Sequence, residues 1–585
     1  MDIHYSSERA VQIIIYLLKA HGIKNVIASP GATNVTFVAS VQSDPFFNIY
    51  SCVDERSAAY MACGVAAQSG EPVVLSCTGA TSSRNYLPGL TEAYYRNLPV
   101  LAITSMMIPS VVGNLFPQAT DRSNPPKDAI KRSYHIPAVS NAEEDWKCTN
   151  CVNEAILELT RRGGGPVHLR LTTLYSKDYS VKEIAPVRVI RRLYACDEFP
   201  SLQGKRIAIF VGAHLKWNDK ETAKVEEFCT LYNSVVLCDR TSNYFGAHHV
   251  NYALVGSQEY GPILDYDVLI HLGSVSGDYY TCGRLQPKEV WRIDLDGEFR
   301  DRFRCLTKVF EMEEFQFFSK YVEKAEHGTK DNVASELKQS YNELYSKIPD
   351  LPFSNIWIAS VLNDKLPDNS ILYLGIFNSL RAWNFFEIPN NIVGYSNVGG
   401  FGIDGMNSSI LGAALVQPDK LFLGVSGDLG FFYDINTLGN RHFPSNLRIM
   451  VVNNGLGQEF KNYKNATDWL GDYTEEYIAA ARHNGNKSPL LTKHISEDLG
   501  FEYISASSKE EFMNVYTSFV SAEIGDKPMI FEVFTDTNDE RNALRMMMNI
   551  NKAAFSDTIK EGFVTTAKKI LSPESKKILR NLFKK

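Results

Sequence analysis

The chain has 585 residues, 44% of them hydrophobic and 22% charged, an ordinary balance for a globular protein and too long for a single core. Its net charge of −7 and pI near 6.0 leave no basic bias to neutralise phosphates, which excludes nucleic acid as a main partner. No apolar run reaches membrane-spanning length, the start MDIHYSSERA lacks a signal-peptide pattern, and the ten scattered cysteines read as reduced thiols of a cytoplasmic protein.

Taken in chain order, Ser6 or Ser7 can cap a helix whose apolar face is Ala10, Ile13, Ile14, Leu17 and Leu18. A buried strand at 25–28 ends in Ser29-Pro30-Gly31-Ala32-Thr33-Asn34. Helix 35–41 and strand 47–53 follow, and that strand runs through Asp54-Glu55-Arg56 into a helix of small residues at 57–68. Strand 72–77 ends in Thr78-Gly79-Ala80-Thr81, and a helix through Asn85, Leu87 and Tyr94 leads to strand 100–104. This alternation predicts a doubly wound parallel α/β sheet over residues 1–180. Glu55 stands just past a strand end, where such folds place functional residues. The same position also suits a plain acid at a helix N-terminus.

The shift EIAPVRVIRRLYACDEFPSLQGK reads as an exposed linker. Runs at 206–211, 235–238, 268–273 and 290–294, separated by helical segments, predict a second α/β domain over 195–325. It carries no nucleotide fingerprint, and the adjacent His248 and His249 read as structural. Cys148 and Cys151 form a lone CxxC, assigned to helix packing rather than zinc.

A polar linker, EKAEHGTKDNVASE, precedes a third α/β domain over 345–537. Strand 371–375 leads into IFNSLRAWNFF. Gly400–Gly405, GFGIDG, matches the dinucleotide pattern GxGxxG, but it lies deep inside the domain rather than after a first strand. The most informative stretch is Gly424–Gln458. Its first apolar run ends in Gly427-Asp428-Leu429-Gly430, its second in Asn453-Asn454, and one helix fits between. A right-handed β-α-β crossover brings both strand ends to one sheet edge, so Asp428 and Asn454, 26 residues apart, become neighbours. A carboxylate, an amide oxygen and a backbone carbonyl suit a hard cation such as Mg²⁺, which takes its remaining ligands from water and phosphate.

That stretch resembles the diphosphate-binding motif of thiamine diphosphate (ThDP) enzymes, with Leu429 in place of the usual third glycine. SPGATN, DERSAAYMACGVA and CTGATSSRNYLPGLTEAYYRNLPVLAIT resemble their pyrimidine-binding domain. With GIDG, GDLGFFYDINTL and HLGSVSGDYY…EVWRIDLDGEFRDRF, the likeness narrows to the 2-succinyl-5-enolpyruvyl-6-hydroxy-3-cyclohexene-1-carboxylate synthases of menaquinone biosynthesis, from about Ile13 to Thr535.

The resemblance implies three doubly wound domains, pyrimidine-binding, central and diphosphate-binding. It implies that Glu55 activates the cofactor through N1′ of the aminopyrimidine, with a carboxyl whose pKa burial raises. It implies Mg²⁺ held by the side chains of Asp428 and Asn454 and the carbonyl of Leu456. Further cofactor contacts would come from Pro30, Gly31, Thr78, Gly402, Ile403, Gly427, Leu429 and Gly457, with Ile403 holding ThDP bent. Gln118 matches an active-site glutamine and Arg381 a substrate arginine. Active sites shared between subunits imply a homodimer or homotetramer.

The departures concern charge. Thr33 stands where the family's SPGSR segment has arginine, residues 104–109 replace an ADRP-type segment, and Asn397-Val398-Gly399 replaces Asn-Arg-Gly. The resemblance implies 2-oxoglutarate as donor and isochorismate as acceptor, both polyanions, and such losses weaken their binding. The expected activity is therefore ThDP- and Mg²⁺-dependent decarboxylation of a less charged 2-oxo acid donor, with carboligation to an acceptor. An acetolactate-synthase-like or simple decarboxylase acting on a donor such as pyruvate, and a non-catalytic scaffold of the same fold, remain open alternatives. Residues 538–585 form an extension: RMMMNINKAAF offers one apolar face, Ser572-Pro573-Glu574 a helix start, and 568–585 a basic stretch for packing on the oligomer or, less simply, a membrane surface.

Overall fold

A computed structural model describes residues 2–324, 326–484 and 487–552, so the helix start expected at Ser572 and the basic stretch fall outside the described residues. The chain forms two compact units, Met1–Asp197 with Leu295–Glu311, and Glu198–Asp294 with Met312 onward.

The first unit is built on β1 (Asn25–Ala28), β2 (Asn48–Ser51), β3 (Val73–Thr78), β4 (Val100–Met106), β5 (Arg132–Ile136) and β6 (Val167–Thr172). They pair in the order β2-β1-β3-β4-β6-β5, every pairing parallel. Successive strand residues go to opposite faces. Val26, Val74, Leu101 and Ile103 pack with the Arg9–Ala20 and Ala142–Glu158 helices. Ile27, Val73, Leu75 and Ala102 pack with the Glu55–Ser69 and Leu87–Tyr95 helices. Burial on both faces is why β1, β3 and β4 read as continuous apolar runs. The first helix starts at Arg9 without a side-chain cap; Ser6 Oγ instead accepts from Glu8 N. Order reverses between β1 and β3, so the loops after these strands flank the crevice where such sheets bind ligands.

The same unit holds β7 (Arg191–Leu193) paired in parallel with β13 (Leu306–Phe310). Charge fastens this segment. Arg161, 3% exposed, meets Glu158 at 3.0 Å, Glu298 at 2.9 Å and Glu311 at 2.8 Å, and Arg192 meets Glu158 at 3.1 Å. Removing one partner of such a buried network leaves an uncompensated charge.

The second unit contains β8 (Ile207–Val211), β9 (Val235–Cys238), β10 (His249–Asn251), β11 (Val268–Leu272) and β12 (Glu289–Ile293), running β10-β9-β8-β11-β12 in parallel. His248 lies 2.7 Å from Glu226 and His249 lies 3.2 Å from Glu387, so the histidine pair anchors loops of this unit. A further parallel sheet comprises β14 (Ile371–Leu374), β15 (Val393–Tyr395), β16 (Phe422–Gly427), β17 (Leu447–Asn453), β18 (Glu502–Ala506) and β19 (Met529–Phe534). Its order, β15-β14-β16-β17-β19-β18, repeats that of the first sheet. The protein is thus an α/β fold of three parallel sheets. The Thr537–Met548 helix closes the described chain, capped by Asp536, which accepts from Asn538 N and Asp539 N. Among the described residues no helix is long and apolar enough to cross a membrane.

Candidate active site

The β16 and β17 registers place Gly427 opposite Val452, so the residues following both strands emerge side by side. Asp428 opens the Asp428–Tyr433 helix, and its carboxylate accepts backbone N–H groups from Leu429, from itself and from Gly455, next to Asn454. It is 5% exposed and, among the described residues, has no ion-pair partner. Burial above all, with the nearby Glu532 carboxylate adding to it, pushes its pKa up to about 7. Asn454 Oδ1 accepts from Leu456 N at 3.4 Å, and Gly455 turns the chain at a φ of 80°. Asn453 faces the other way and donates to Glu532 at 2.8 Å.

A cation beside Asp428 would relieve the cost of its buried charge. The oxygens that meet here come from the Asp428 carboxylate, the Asn454 amide and the main chain. These are hard donors that fit Mg²⁺. Gly457 N donates to Ala479 O at 2.6 Å, and a Cβ on Gly457 would lie 3.4 Å from Leu429 Cδ1, so both residues border the same turn.

Gly400–Gly405 closes on this point. A Cβ on Gly430, two residues past Asp428, would lie 3.0 Å from the Ile403 carbonyl. The motif follows the edge strand β15 rather than the first strand of a dinucleotide domain, and Ile403, next to Gly402 in the chain, borders the Asp428 helix. Phe401 carries the contact outward, its ring 5.3 Å from Phe377 and 6.0 Å from Tyr279.

Those rings enclose Arg381. The guanidinium lies 5.0 Å from the Tyr279 ring, 5.1 Å from Tyr463 and 5.5 Å from Phe377, and is 9% exposed. Its Nη1 donates to both carboxylate oxygens of Glu459 at 2.6 Å. Glu459 follows the Asn-Asn motif by five residues. The sequence reading missed it, since nothing local marks a carboxylate whose partner lies 78 residues earlier.

In the first unit, Glu55 is the first residue of its helix, behind Asp54, whose side chain accepts from Ser57 N at 2.8 Å. Its carboxylate accepts from Asn85 Nδ2 at 3.0 Å. The expected rise in its pKa is not found. Partial burial is the largest single influence and raises it, but hydrogen bonds from Asn85, Ser82 and its own backbone together outweigh burial and hold the pKa below the usual value. The reason is position. The carboxylate is only half-buried, on a surface with Val53 79% exposed and Tyr60 49% exposed.

The ends of β1 and β3 meet closely. A Cβ on Gly31 would fall 2.2 Å from Thr78 Oγ1, so only glycine fits, while Pro30 is exposed beside it. Thr78 is buried and accepts from Thr33 N at 3.3 Å. Thr33 is buried too, its hydroxyl donating to the Ser105 carbonyl at 2.5 Å and lying 3.0 Å from Thr78 Oγ1. Where the resemblance places an arginine, this chain has a side chain spent on the scaffold. Gln118 is exposed, at a φ of 62°. Arg122, also missed in the sequence, is buried beside Gly79 and donates to the Thr104 carbonyl at 2.8 Å, and burial pushes its pKa down to about 10.

The structure therefore brings Gly402, Ile403, Gly427, Asp428, Leu429, Asn454, Leu456 and Gly457 to one sheet edge of the second unit. Pro30, Gly31, Thr33 and Thr78 gather at the matching edge of the first.

Residues 8–122 match the family of thiamine pyrophosphate enzymes at their N-terminal TPP binding domain. The chain is 28% identical over 568 residues to the 2-succinyl-5-enolpyruvyl-6-hydroxy-3-cyclohexene-1-carboxylate synthase of Bacteroides thetaiotaomicron, covering 92% of this chain and 98% of that one. Synthases of the same name from Phocaeicola vulgatus and Flavobacterium johnsoniae are each 28% identical, covering 92% and 91% of this chain and 98% and 97% of their own. The solved thiamine diphosphate-dependent 4-hydroxybenzoylformate decarboxylase of Rhodococcus jostii RHA1 aligns over 90% of this chain and 99% of that one, at 14% identity and a TM-score of 0.38, too loose a likeness to build on. Over nine-tenths of its length the chain is thus similar to the 2-succinyl-5-enolpyruvyl-6-hydroxy-3-cyclohexene-1-carboxylate synthases, and its residues 8–122 match the N-terminal domain of thiamine pyrophosphate enzymes.

Proposed function

We propose that the protein is a cytoplasmic ThDP- and Mg²⁺-dependent enzyme that decarboxylates a 2-oxo acid and transfers the remaining fragment to an acceptor, with a substrate pocket altered from that of its synthase relatives. The observation that carries this reading is Asp428, a buried carboxylate without a counter-ion among the described residues, at a central strand end and beside an amide. A buried carboxylate of this kind costs stability, and a cation held beside it would offset that cost. Asp428, Asn454 and the Leu456 carbonyl would hold Mg²⁺ and, through it, the diphosphate. Bound ThDP supplies the carbon nucleophile and the electron sink for loss of CO₂.

Glu55 would hold and exchange the proton at N1′ of the aminopyrimidine. Its pKa, low in the single chain, becomes useful only once the open face is covered and the carboxyl desolvated. The exposed Val53, Tyr60 and Met61 around it favour an apolar cover, and a second copy of the chain is the simplest one, as a homodimer or homotetramer. Gly31, Thr78, Gly402 and Ile403 would line the cofactor, and Gln118 and Arg381 would face the substrates. The inward-turned Thr33 and the neutralised Arg381 both support a donor less anionic than 2-oxoglutarate.

The test is CO₂ release across pyruvate, 2-oxobutyrate and 2-oxoglutarate, with and without ThDP and Mg²⁺, alongside calorimetric titration with ThDP. Cofactor-dependent release from a monocarboxylic donor is expected. Protein that binds no ThDP in the presence of Mg²⁺ overturns the reading.

A further inference from the structure

Arg381 is a guanidinium whose charge is already answered. Both oxygens of Glu459 stand 2.6 Å from its Nη1, and Tyr279, Tyr463 and Phe377 surround its plane. The hydroxyls of Tyr280 and Tyr463 lie 2.6 Å apart and tie the cage across to the Tyr279–Arg284 helix. On one side the cage continues through Phe401 into Gly400–Gly405; on the other it continues through Glu459 into the turn after Asn454. Arg381 therefore stands beside both segments that the proposed function assigns to the cofactor. It is the cation there best shaped to receive a distal carboxylate from a substrate, because guanidinium and carboxylate match in geometry.

We propose that Glu459 is a built-in carboxylate that occupies the anion-binding face of Arg381, so that the site takes 2-oxo acids with one carboxylate and rejects 2-oxo dicarboxylates. The inference rests on the proposed function for the site's identity, and it deepens that reading by naming the residue that sets the substrate class. A second carboxylate would have to displace Glu459, which competes from within the same chain and so at high effective concentration. The affinity of any dianion is then reduced by the fraction of time Arg381 is free. Displacement would also leave the Glu459 carboxylate unpaired next to the incoming anion, a repulsion that a monocarboxylate escapes. Glu459 is the more exposed partner, at 29% against 10% for the Arg381 side chain, so it can be changed with little loss of packing.

Glutarate and butyrate, which lack the reacting keto group, probe the site without turnover. Calorimetric titration of the ThDP- and Mg²⁺-loaded protein should show butyrate binding and glutarate exclusion. Glu459→Gln should strengthen glutarate binding by about tenfold, roughly 1.4 kcal/mol, and leave butyrate within about twofold. Glu459→Asp should keep the exclusion, and Arg381→Met combined with Glu459→Gln should abolish the gain. In turnover, Glu459→Gln should shift CO₂ release from 2-oxobutyrate towards 2-oxoglutarate. Wild-type protein that binds glutarate more tightly than butyrate overturns the proposal, even if no variant folds. So does a glutarate gain that survives loss of Arg381, or no gain in a Glu459→Gln protein of wild-type melting temperature. Because Arg381 and Glu459 belong to one chain, the same titrations run on ThDP-free protein. Absence of ThDP binding would count against the proposed function, while the glutarate result would still judge the role of Glu459.

Discussion

The first sheet and the last share one strand order, β2-β1-β3-β4-β6-β5 against β15-β14-β16-β17-β19-β18, yet they treat their key acids in opposite ways. Asp428 follows β16, a central strand paired on both sides, and burial pushes its pKa up to about 7. Glu55 follows β2, an edge strand whose residues are mostly exposed, and hydrogen bonds hold its pKa low. Strand position sets the environment of each carboxylate. A central strand end is walled by its neighbours and the following helix, whereas an edge strand end stays open until something docks on it. On the proposed function, the diphosphate end of the site would be built within one chain, while Glu55 would need a cover.

Glu55→Gln should give the largest effect. CO₂ release should fall by about 10²–10⁴-fold, the range for a lost acid–base group, with ThDP affinity and melting temperature nearly unchanged. An equal fall in ThDP affinity would make Glu55 a binding residue and erase the contrast. Asp428→Ala should act in the other direction, weakening ThDP binding in Mg²⁺ by at least ~100-fold, about 2.7 kcal/mol in calorimetry. The folded state loses the backbone hydrogen bonds that this carboxylate accepts, and relief of its buried charge offsets that loss, so the melting temperature should change little. ThDP binding that survives the change would show that the buried acid serves something other than the diphosphate.

Much of this architecture is legible in the sequence, because parallel strands buried on both faces read as apolar runs. That holds for 25–28, 73–78, 207–211, 268–272, 422–427 and 447–453, all fully or nearly fully buried. It fails for β6, where His168 and Arg170 interrupt the run. The structure satisfies His168 through Thr104 at 2.8 Å and Ser133 at 3.0 Å, partners no local pattern announces. It fails also for β18, an edge strand with mixed exposure. Asp428 and Asn454 are legible because strand-end residues of a β-α-β unit must converge. The low pKa of Glu55, the pairing of Glu459 with Arg381 and the fastening of Leu295–Glu311 by Arg161 depend on tertiary neighbours, so they are not.

Two smaller effects probe whether burial alone separates the regions. Glu540, fully buried in the second unit, accepts from Thr535 Oγ1 at 2.7 Å and Asn355 N at 2.9 Å and has no proposed cofactor role. Burial pushes its pKa from 4.5 up to about 7. Between those values the folded state holds a proton that the unfolded state has released, so stability is full below the unfolded pKa and declines as pH rises towards the folded one. The loss between about pH 5 and about pH 7 should approach roughly 2 kcal/mol in urea unfolding, and Glu540→Gln should remove that part of the slope. An unchanged slope would mean that burial is not what raises acids in this unit.

The last effect concerns the Glu55–Ser69 helix itself. A Cβ on Gly89 would meet Ala59 Cβ at 2.4 Å and Ala59 backbone at 2.8 Å, so Gly89→Ala should cost about 1–3 kcal/mol by overpacking. Gly64, on the helix that Glu55 opens, has nothing within 4 Å of its added Cβ, so Gly64→Ala should stabilise a lone chain by about 0.5–1 kcal/mol through helix propensity. Measured by thermal melts across protein concentrations, that gain should persist at low concentration. It should shrink or reverse at high concentration if a second copy covers the face, since the new methyl would then press on the partner. A gain independent of concentration would mean that this face stays open in solution, and that Glu55 must find its desolvation elsewhere.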